Sequence, residues 1–316
     1  MADLQTSFRK FHDSIMLDEE IDTLREKREK VLQRLFENLE RRNPATRHQG
    51  SFALGTGIKP LGESDIDIDI ALEFEIDPSS INAVALKQEV YEAVRIHTQS
   101  VVIREPCVTI QYQRNGELIY HVDLAVYATH GGKTYLARGK PGAGVKDDRW
   151  EAADPKGLVE YFQSRPAGEK VREQRRRVIR YLKRWKDVVF SSEGDAAPRS
   201  VALAVCALQW FQPHESDLDA LTKLAATMHQ QGPHIEVCLP VVPHSGLFER
   251  MNPQQRANYH ARLGELLEAL RSAKAETDPK RAAEQLRKFL SDDFPVPKST
   301  VPAAGAAAIG TSGASA

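Results

Sequence analysis

Three aspartates alternate with isoleucines in the stretch GESDIDIDIALEF, residues 62–74. Aspartate is uncommon in strands, but a strand would place Asp65, Asp67 and Asp69 together on one face and the isoleucines on the other. A second apolar stretch, YHVDLAVYA, carries the lone acid Asp123. If the two strands are neighbours, the carboxylates repel one another unless a cation lies between them, and hard divalent ions prefer such oxygen ligands. Two such ions about 3.5–4 Å apart are the usual arrangement for in-line phosphoryl transfer.

The acidic stretch also has a plainer interpretation, in which a half-exposed edge strand simply turns its carboxylates to water. A calcium loop of the EF-hand type fits poorly. The position that requires glycine is Ile70, and the position of the bidentate glutamate is Ile76.

The residues upstream of the acids favour the phosphate chemistry. The stretch GSFALGTGIKPLG starts with Gly50-Ser51, a small and flexible pair at the expected start of a short helix. Backbone N–H groups at a helix N-terminus bind phosphate oxygens. A Gly-Ser turn, a strand with alternating acids and a later strand with another aspartate form a much rarer combination than any one of them alone.

Composition and charge narrow the class of protein. The chain has 316 residues, a length that suits two lobes. Its net charge of −1 argues against a general nucleic-acid binder. Cys107, Cys206 and Cys238 form no CxxC pair, which favours reduced thiols over a zinc site. The N-terminus lacks the apolar core of a signal peptide, and no stretch approaches the roughly 18 apolar residues of a membrane span. We therefore expect a cytoplasmic protein that does not contact a membrane.

The acidic strand is expected within an α/β first half of the chain. Residues 17–42 carry the apolar stripe of a long amphipathic helix, and residues 80–99 also predict a helix. Residues 101–113 and 118–128 alternate like strands, and the Asn-Gly pair between them is a hairpin turn signal.

From about residue 150 the pattern changes, and only helices are predicted. Five segments have helical periodicity: 168–190, 199–211, 217–231, 253–276 and 279–290. The end of the chain is uncharged and rich in Pro, Gly, Ala and Ser, which predicts a disordered tail. The predicted domains are a first lobe that includes the long helix at 1–150, a helical lobe at 151–293 and the tail at 294–316.

The stretch GSFALGTGIKPLGESDIDIDIALEF, together with YHVDLAVYA, resembles the nucleotidyltransferase superfamily that includes DNA polymerase beta. Within that superfamily the match is closest to the bacterial CD-NTases, relatives of cyclic GMP-AMP synthase and oligoadenylate synthetase. The resemblance implies an α+β, two-lobed fold. A catalytic lobe with a mixed sheet and a long N-terminal spine helix would be followed by a helical C-terminal lobe.

The resemblance also assigns the carboxylates. In the family the apolar strand follows directly after the second aspartate, which makes Asp67 and Asp69 the metal-binding catalytic pair and Asp123 the third carboxylate. The cofactor it implies is Mg²⁺ or Mn²⁺, with two ions per active site. A slip of one repeat, to Asp65 and Asp67, is the alternative, and in the first assignment Asp65 has no known purpose.

Four further residues match nucleotide-binding positions of the family. Gly50 and Ser51 would hold the β- and γ-phosphates of the donor nucleotide. Lys183, in RYLKRW, resembles the lysine that reaches the phosphates, and Ser200, in RSVALAV, resembles the serine that binds the triphosphate.

The activity that the resemblance implies is the joining of nucleoside triphosphates, ATP foremost, into a cyclic di- or trinucleotide messenger for anti-phage signalling. One alternative is a nucleotidyltransferase that tails RNA or attaches AMP to a macromolecule. A non-enzymatic alternative is a degenerate nucleotide-binding scaffold. Implied partners are operon-encoded HORMA-type or AAA-type regulators, or a ubiquitin-transfer-like enzyme that acts on the tail. A nucleic acid activator is a further candidate, suggested by the surplus arginines of residues 170–186.

Overall fold

The computed structural model describes most of the chain, namely residues 3–41, 43–62, 66–96, 100–114, 117–142, 144, 148–164, 168–190 and 197–299. Asp65, the predicted turn at Asn115-Gly116 and residues 300–316 of the predicted tail lie outside these ranges. The predicted α+β fold with two lobes is confirmed.

A mixed sheet forms the first lobe. Its strands are β1 (Ala45–His48), β2 (Ile66–Glu75), β3 (Val101–Ile103), β4 (Val108–Arg114), β5 (Glu117–His130), β6 (Lys133–Arg138) and β7 (Arg149–Ala153). Five of the strands lie in the order β1-β2-β5-β4-β3. Strand β6 pairs with β5 on one side and with β7 on the other. Strands β2 and β5 run parallel, and the other pairs are antiparallel.

Helices cover one face of the sheet and build the second lobe. They are α1 (Gln5–Ile15), α2 (Glu19–Asn38), α3 (Gly50–Ala53), α4 (Ala83–Val94), α5 (Pro155–Ser164), α6 (Glu169–Val189), α7 (Ser200–Trp210), α8 (Asp217–Gln230), α9 (Pro253–Ala275) and α10 (Pro279–Leu290). No helix among the described residues combines the length and hydropathy that crossing a membrane requires.

The two-residue period of β2 separates its core from its acids. Ile68, Ile70 and Leu72 are fully buried, and they pack with α2 and α4 beneath the sheet. The side chains between them leave the sheet on the opposite face, where Asp67 is exposed and Asp69 is half-buried. The apolar face therefore fixes the register that presents the acids.

Helix α1 belongs to the core of the helical lobe, although it precedes the catalytic lobe in the chain and was not predicted. Phe8 and Phe11 are fully buried, and the ring of Phe11 stacks on Tyr181 of α6 with 5.4 Å between centroids. Phe294, predicted to begin the tail, is also fully buried and lies 5.0 Å from the ring of Phe8. The predicted tail boundary is therefore several residues too early.

Two other boundaries differ from the prediction for local reasons. The segment predicted as one strand at 101–113 is two strands, β3 and β4, because Pro106 lacks the N–H that a strand ladder requires. The predicted boundary at residue 150 falls inside β7, which extends to Ala153 and pairs with β6. Helix α5, which follows it, was also not predicted.

Candidate active site

Two neighbouring parallel strands carry the acids. In the pairing of β2 with β5, Asp69 lies opposite Asp123, and Asp67 lies opposite His121. Residues opposite one another on neighbouring strands point to the same face, with the strands about 4.8 Å apart. The sheet therefore brings Asp67, Asp69 and Asp123 to one surface, as the sequence predicts.

The pKa of Asp69 reflects the neighbouring carboxylates. Burial, followed by the charges of Asp67 and Asp123, raises the pKa of Asp69 to about 7 from the ordinary 3.8. The charges of Asp67 and Asp123 therefore oppose the ionisation of Asp69, and a cation beside these acids would relieve that opposition.

Asp123 has the opposite environment. Burial favours its neutral form, but hydrogen bonds from His121 and Thr109 outweigh burial and lower the pKa of Asp123. Thr109 is fully buried on β4 and donates its hydroxyl to Oδ1 at 2.6 Å, and His121 Nε2 lies 3.6 Å from Oδ2. Sequence reasoning missed Thr109, because its partnership with Asp123 depends on the register between β4 and β5.

Gly50 is packed directly against the acidic strand. Its φ is +62°, and a Cβ added there would lie 2.8 Å from Cγ of Asp69 and closer still to Oδ2. The amide of Gln49 also donates to the carbonyl of Asp69 at 3.1 Å. Glycine is therefore required at this position for two reasons, and the Gly50-Ser51 pair lies beside the acids.

Lys183 approaches the acids from the helical lobe, but its ammonium group already donates a hydrogen bond within the protein. Its Nζ donates to the carbonyl of Thr56 at 2.8 Å, and only 7% of the residue is exposed. Burial lowers the pKa of Lys183 to about 8, although the charge of Asp67 acts in the opposite direction. The ammonium group is thus near Asp67 and directed at the loop after α3.

Ser200 lies beside a different lysine. Lys186, one turn beyond Lys183 on α6, donates from Nζ to Ser200 Oγ at 3.1 Å and to Asp187 Oδ1 at 2.9 Å. Ser200 is the first residue of α7. Lys186 was not singled out from the sequence, because the apolar stripe of α6 does not show which of its lysines faces the start of α7.

A cavity opens next to Gly50 between the two lobes. Its volume is about 290 Å³, and strands β5 to β7 form one wall. The start of α7 and the segment 239–247 form the other wall. Its lining is largely apolar, with a few polar groups, and includes Tyr127, Leu136, Val201, Leu239, Leu247, Gln49 and Arg199. Such a lining suits a flat heteroaromatic ring more than a charged group.

The carboxylates match a hard divalent cation in chemistry, since Asp67, Asp69 and Asp123 offer only oxygen atoms. The raised pKa of Asp69 fits a site that a cation would neutralise. Among the residues that the structure describes, no three His, Cys, Asp or Glu side chains are arranged as a ready metal site.

The mixed sheet of the first lobe and the helical second lobe form a two-lobed fold of the nucleotidyltransferase type. Residues 44–127 match the family described as "Cyclic GMP-AMP synthase DncV-like, nucleotidyltransferase domain". Over these residues the predicted resemblance to the bacterial CD-NTases is confirmed.

Curated relatives are similar over part of their length. The chain is 22% identical over 230 residues to a c-di-GMP synthase of Roseivirga ehrenbergii, which covers 65% of this chain and 57% of the relative. It is 23% identical over 245 residues to a cyclic GMP-AMP synthase of Escherichia albertii, covering 74% and 52%. The chain thus spans little more than half the length of these relatives.

Solved structures share the fold over nearly the whole chain. The CD-NTase CdnG of Bradyrhizobium diazoefficiens, in complex with GTP, has a TM-score of 0.75 at 17% identity and covers 93% of this chain and 96% of its own. The cyclic AMP-GMP synthase DncV of Vibrio cholerae has a TM-score of 0.75 at 16% identity and covers 93% and 97%. At such low identity the likeness establishes the fold.

Proposed function

We propose that this chain is a metal-dependent nucleotidyltransferase that joins nucleoside triphosphates, ATP among them, into a cyclic di- or trinucleotide. The observation that carries the proposal is the pairing of Asp69 with Asp123 on neighbouring parallel strands, with Asp69 packed against Gly50. The matched domain and the names of the relatives, which are cyclic dinucleotide synthases, support the same reaction.

The reaction forms a bond between an acceptor hydroxyl and the α-phosphorus and breaks the bond to pyrophosphate. Asp67, Asp69 and Asp123 are the residues that would hold two Mg²⁺ or Mn²⁺ ions. When bound, such ions neutralise the triphosphate and lower the pKa of the acceptor hydroxyl. Within the protein, Thr109 and His121 keep Asp123 ionised and fix its direction.

Four groups are proposed to bind the nucleotide itself. The N–H of Gly50 and the hydroxyl of Ser51 face the phosphates from the catalytic lobe. Lys186 and Ser200, 3.1 Å apart, face them from the helical lobe. Lys186 replaces Lys183 in this role because Lys186 lies beside Ser200, whereas Lys183 is directed at the carbonyl of Thr56. The cavity beside Gly50 would receive a nucleobase.

The biological context belongs to the same proposal. The cyclic product would act as a messenger in anti-phage signalling in the cytoplasm. Operon-encoded regulators, or an enzyme that conjugates the C-terminal tail, would control the synthase. The resemblance to the CD-NTases supports this context.

The test is incubation with α-labelled nucleoside triphosphates and Mg²⁺ or Mn²⁺, followed by phosphatase and chromatography beside cyclic standards. We expect a labelled product that resists phosphatase and is absent from the Asp67→Asn/Asp69→Asn variant. Glu75→Gln, on the same strand and face, is the matched control and should retain activity. Label on RNA or protein would favour the tailing or AMP-transfer alternative. Absence of any transfer in all nucleotide mixtures would favour the scaffold.

A further inference from the structure

The segment 55–59, which leads from α3 towards the acidic strand, is held by side chains of the other lobe. It has no place in a helix or sheet, apart from a single bridge between Ile58 and Met16. Thr56 is only 2% exposed. Buried carbonyls outside regular structure need donors from elsewhere, because an unpaired carbonyl away from water costs free energy.

Arg180 of α6 supplies two of these donors. Its Nη2 donates to the carbonyl of Gly55 at 2.6 Å, and its Nε donates to the carbonyl of Gly57 at 3.2 Å. The remaining nitrogen, Nη1, donates to His12 Nε2 at 2.9 Å. Only 8% of Arg180 is exposed, so the rigid guanidinium fork spans three acceptors within the protein.

The next turn of α6 continues the same contact. Lys183 donates to the carbonyl of Thr56 at 2.8 Å, and Arg184 Nη2 donates to the carbonyl of Lys59 at 2.9 Å. Positions three and four residues apart share a helix face, which explains why one helix reaches successive carbonyls. Four carbonyls between residues 55 and 59 are therefore bound by three cationic side chains of α6.

Helix α1 holds the other side of the segment. The amide of Lys59 donates to the carbonyl of Ile15 at 2.8 Å, and Met16 forms a β-bridge with Ile58. Both α1 and α6 belong to the helical lobe. The segment is thus attached to the helical lobe while its ends continue into the catalytic lobe.

The position of this segment determines the position of Ser51. The amide of Thr56 donates to the carbonyl of Ser51 at 2.9 Å. A Cβ placed on Gly57 would lie 3.8 Å from Ser51 Oγ, so the two residues are near neighbours. Any displacement of residues 55–57 therefore moves the short helix that faces the phosphates.

We propose that Arg180 and Lys183 are positioning residues for the triphosphate. They fix the segment 55–57 to the helical lobe, and this contact places Ser51 relative to the acids. This inference rests on the proposed function. Neither side chain is required to touch the nucleotide. The cationic donors matter because a neutral side chain of similar size would leave two or three buried carbonyls without partners.

The experiment compares Arg180→Gln and Arg180→Lys with the wild type and with Arg172→Gln. Arg172 lies on the same helix, pairs with the exposed Glu169 and makes a matched control for loss of an arginine. Amide hydrogen exchange is measured on the full chain without nucleotide. Binding of ATP and GTP analogues with a nonhydrolysable α,β bridge is measured in Mg²⁺ by calorimetry.

We expect faster exchange of the amides in residues 52–60 of Arg180→Gln, a smaller change in Arg180→Lys and none in Arg172→Gln. Exchange in α9 should stay unchanged, which separates a local effect from loss of the fold. The dissociation constant of the analogues should rise about tenfold in Arg180→Gln, as expected for a displaced phosphate-binding group, while kcat changes less than KM.

Two results would overturn the inference. One is wild-type exchange in residues 52–60 of a folded Arg180→Gln protein. The other is faster exchange there with unchanged affinity for the analogues, since Ser51 would then not depend on the segment. Failure of the wild type to bind either analogue would instead refute the proposed function, and the exchange result would still report whether α6 fixes the segment.

Discussion

The carboxylate of Asp69 lies against the α-carbon of Gly50, so the acidic strand is in direct contact with the first residue of the short helix α3. A side chain at position 50 would occupy the space of Asp69 Cγ and Oδ2. In the proposed site, Asp69 and the Gly50-Ser51 turn can therefore pack together only because position 50 carries no Cβ atom.

The first prediction follows from this contact. Gly50→Ala should reduce nucleotide transfer by about 100-fold or more, because displacement of a catalytic group by about 1 Å has effects of that size. Gly62→Ala is the control, since Gly62 has a similar φ of +65° but nothing within 4 Å of an added Cβ. Both variants carry a similar backbone strain, about 1–2 kcal/mol, which thermal unfolding would measure. Equal activity in the two variants would contradict the contact argument.

The second prediction concerns Thr109. Thr109→Val preserves the shape of the side chain but removes the hydrogen bond to Asp123, so the pKa of Asp123 should rise. A carboxylate with a raised pKa is protonated at higher pH, and the acidic limb of the pH–rate profile should therefore move upward. Thr109→Ser keeps the hydroxyl and should keep the wild-type profile. An unshifted limb in the valine variant would mean that Asp123 does not control the acidic limb.

The third prediction concerns stability without metal. The pKa of Asp69, about 7, exceeds 3.8, so the folded state holds this proton more tightly than the unfolded state. The resulting stabilisation is complete below pH 3.8 and is lost as the pH rises to about 7. In EDTA, Asp69→Asn should therefore have a higher Tm than the wild type at pH 8, and this gain should shrink towards pH 4.

Mg²⁺ provides the second half of that measurement. Added at pH 8, it should raise the Tm of the wild type and of Glu75→Gln but not that of Asp69→Asn. An equal rise in all three proteins would show that the ion binds elsewhere.

The fourth prediction concerns the lysine that the structure identifies beside Ser200. Lys186→Met and Ser200→Ala should each raise KM for the nucleoside triphosphate about tenfold. The double variant should lose less than the product of the two effects, because side chains in contact are not independent. Steady-state kinetics of the four proteins form the double-mutant cycle. Strict additivity would indicate that the two groups bind different parts of the substrate.

The acidic strand was predictable because strand periodicity is local: alternation alone determines which of its side chains share a face. Local sequence does not, however, predict which lysine lies next to Ser200. Lys183 and Lys186 differ by one turn of α6, and only the packing of α6 against the loop after α3 directs one to Thr56 and the other to α7.

Thr109 and α1 were missed for related reasons. The partner of Thr109 is set by a cross-strand register that includes an irregularity between Tyr112 and Gln113. Helix α1 is short, and its apolar residues Phe8, Phe11 and Ile15 have the helical spacing. Their partners, however, lie more than 150 residues further along the chain. A short amphipathic segment of this kind gains its stability from such distant packing and not from its own sequence.

Because α1 packs in the helical lobe and α2 under the sheet, the backbone passes between the lobes twice within the part of the chain that the structure describes. One passage runs from Ile15, in the helical core, to Leu17, in the sheet core, and the other lies at Asp154 between β7 and α5. Two covalent connections define a hinge axis, and rotation about it is the rigid-body motion that strains neither. The bridge between Met16 and Ile58 lies at the first passage, close to this axis. A rotation about this axis would therefore move the segment 55–59 less than the parts of the site that lie further from it.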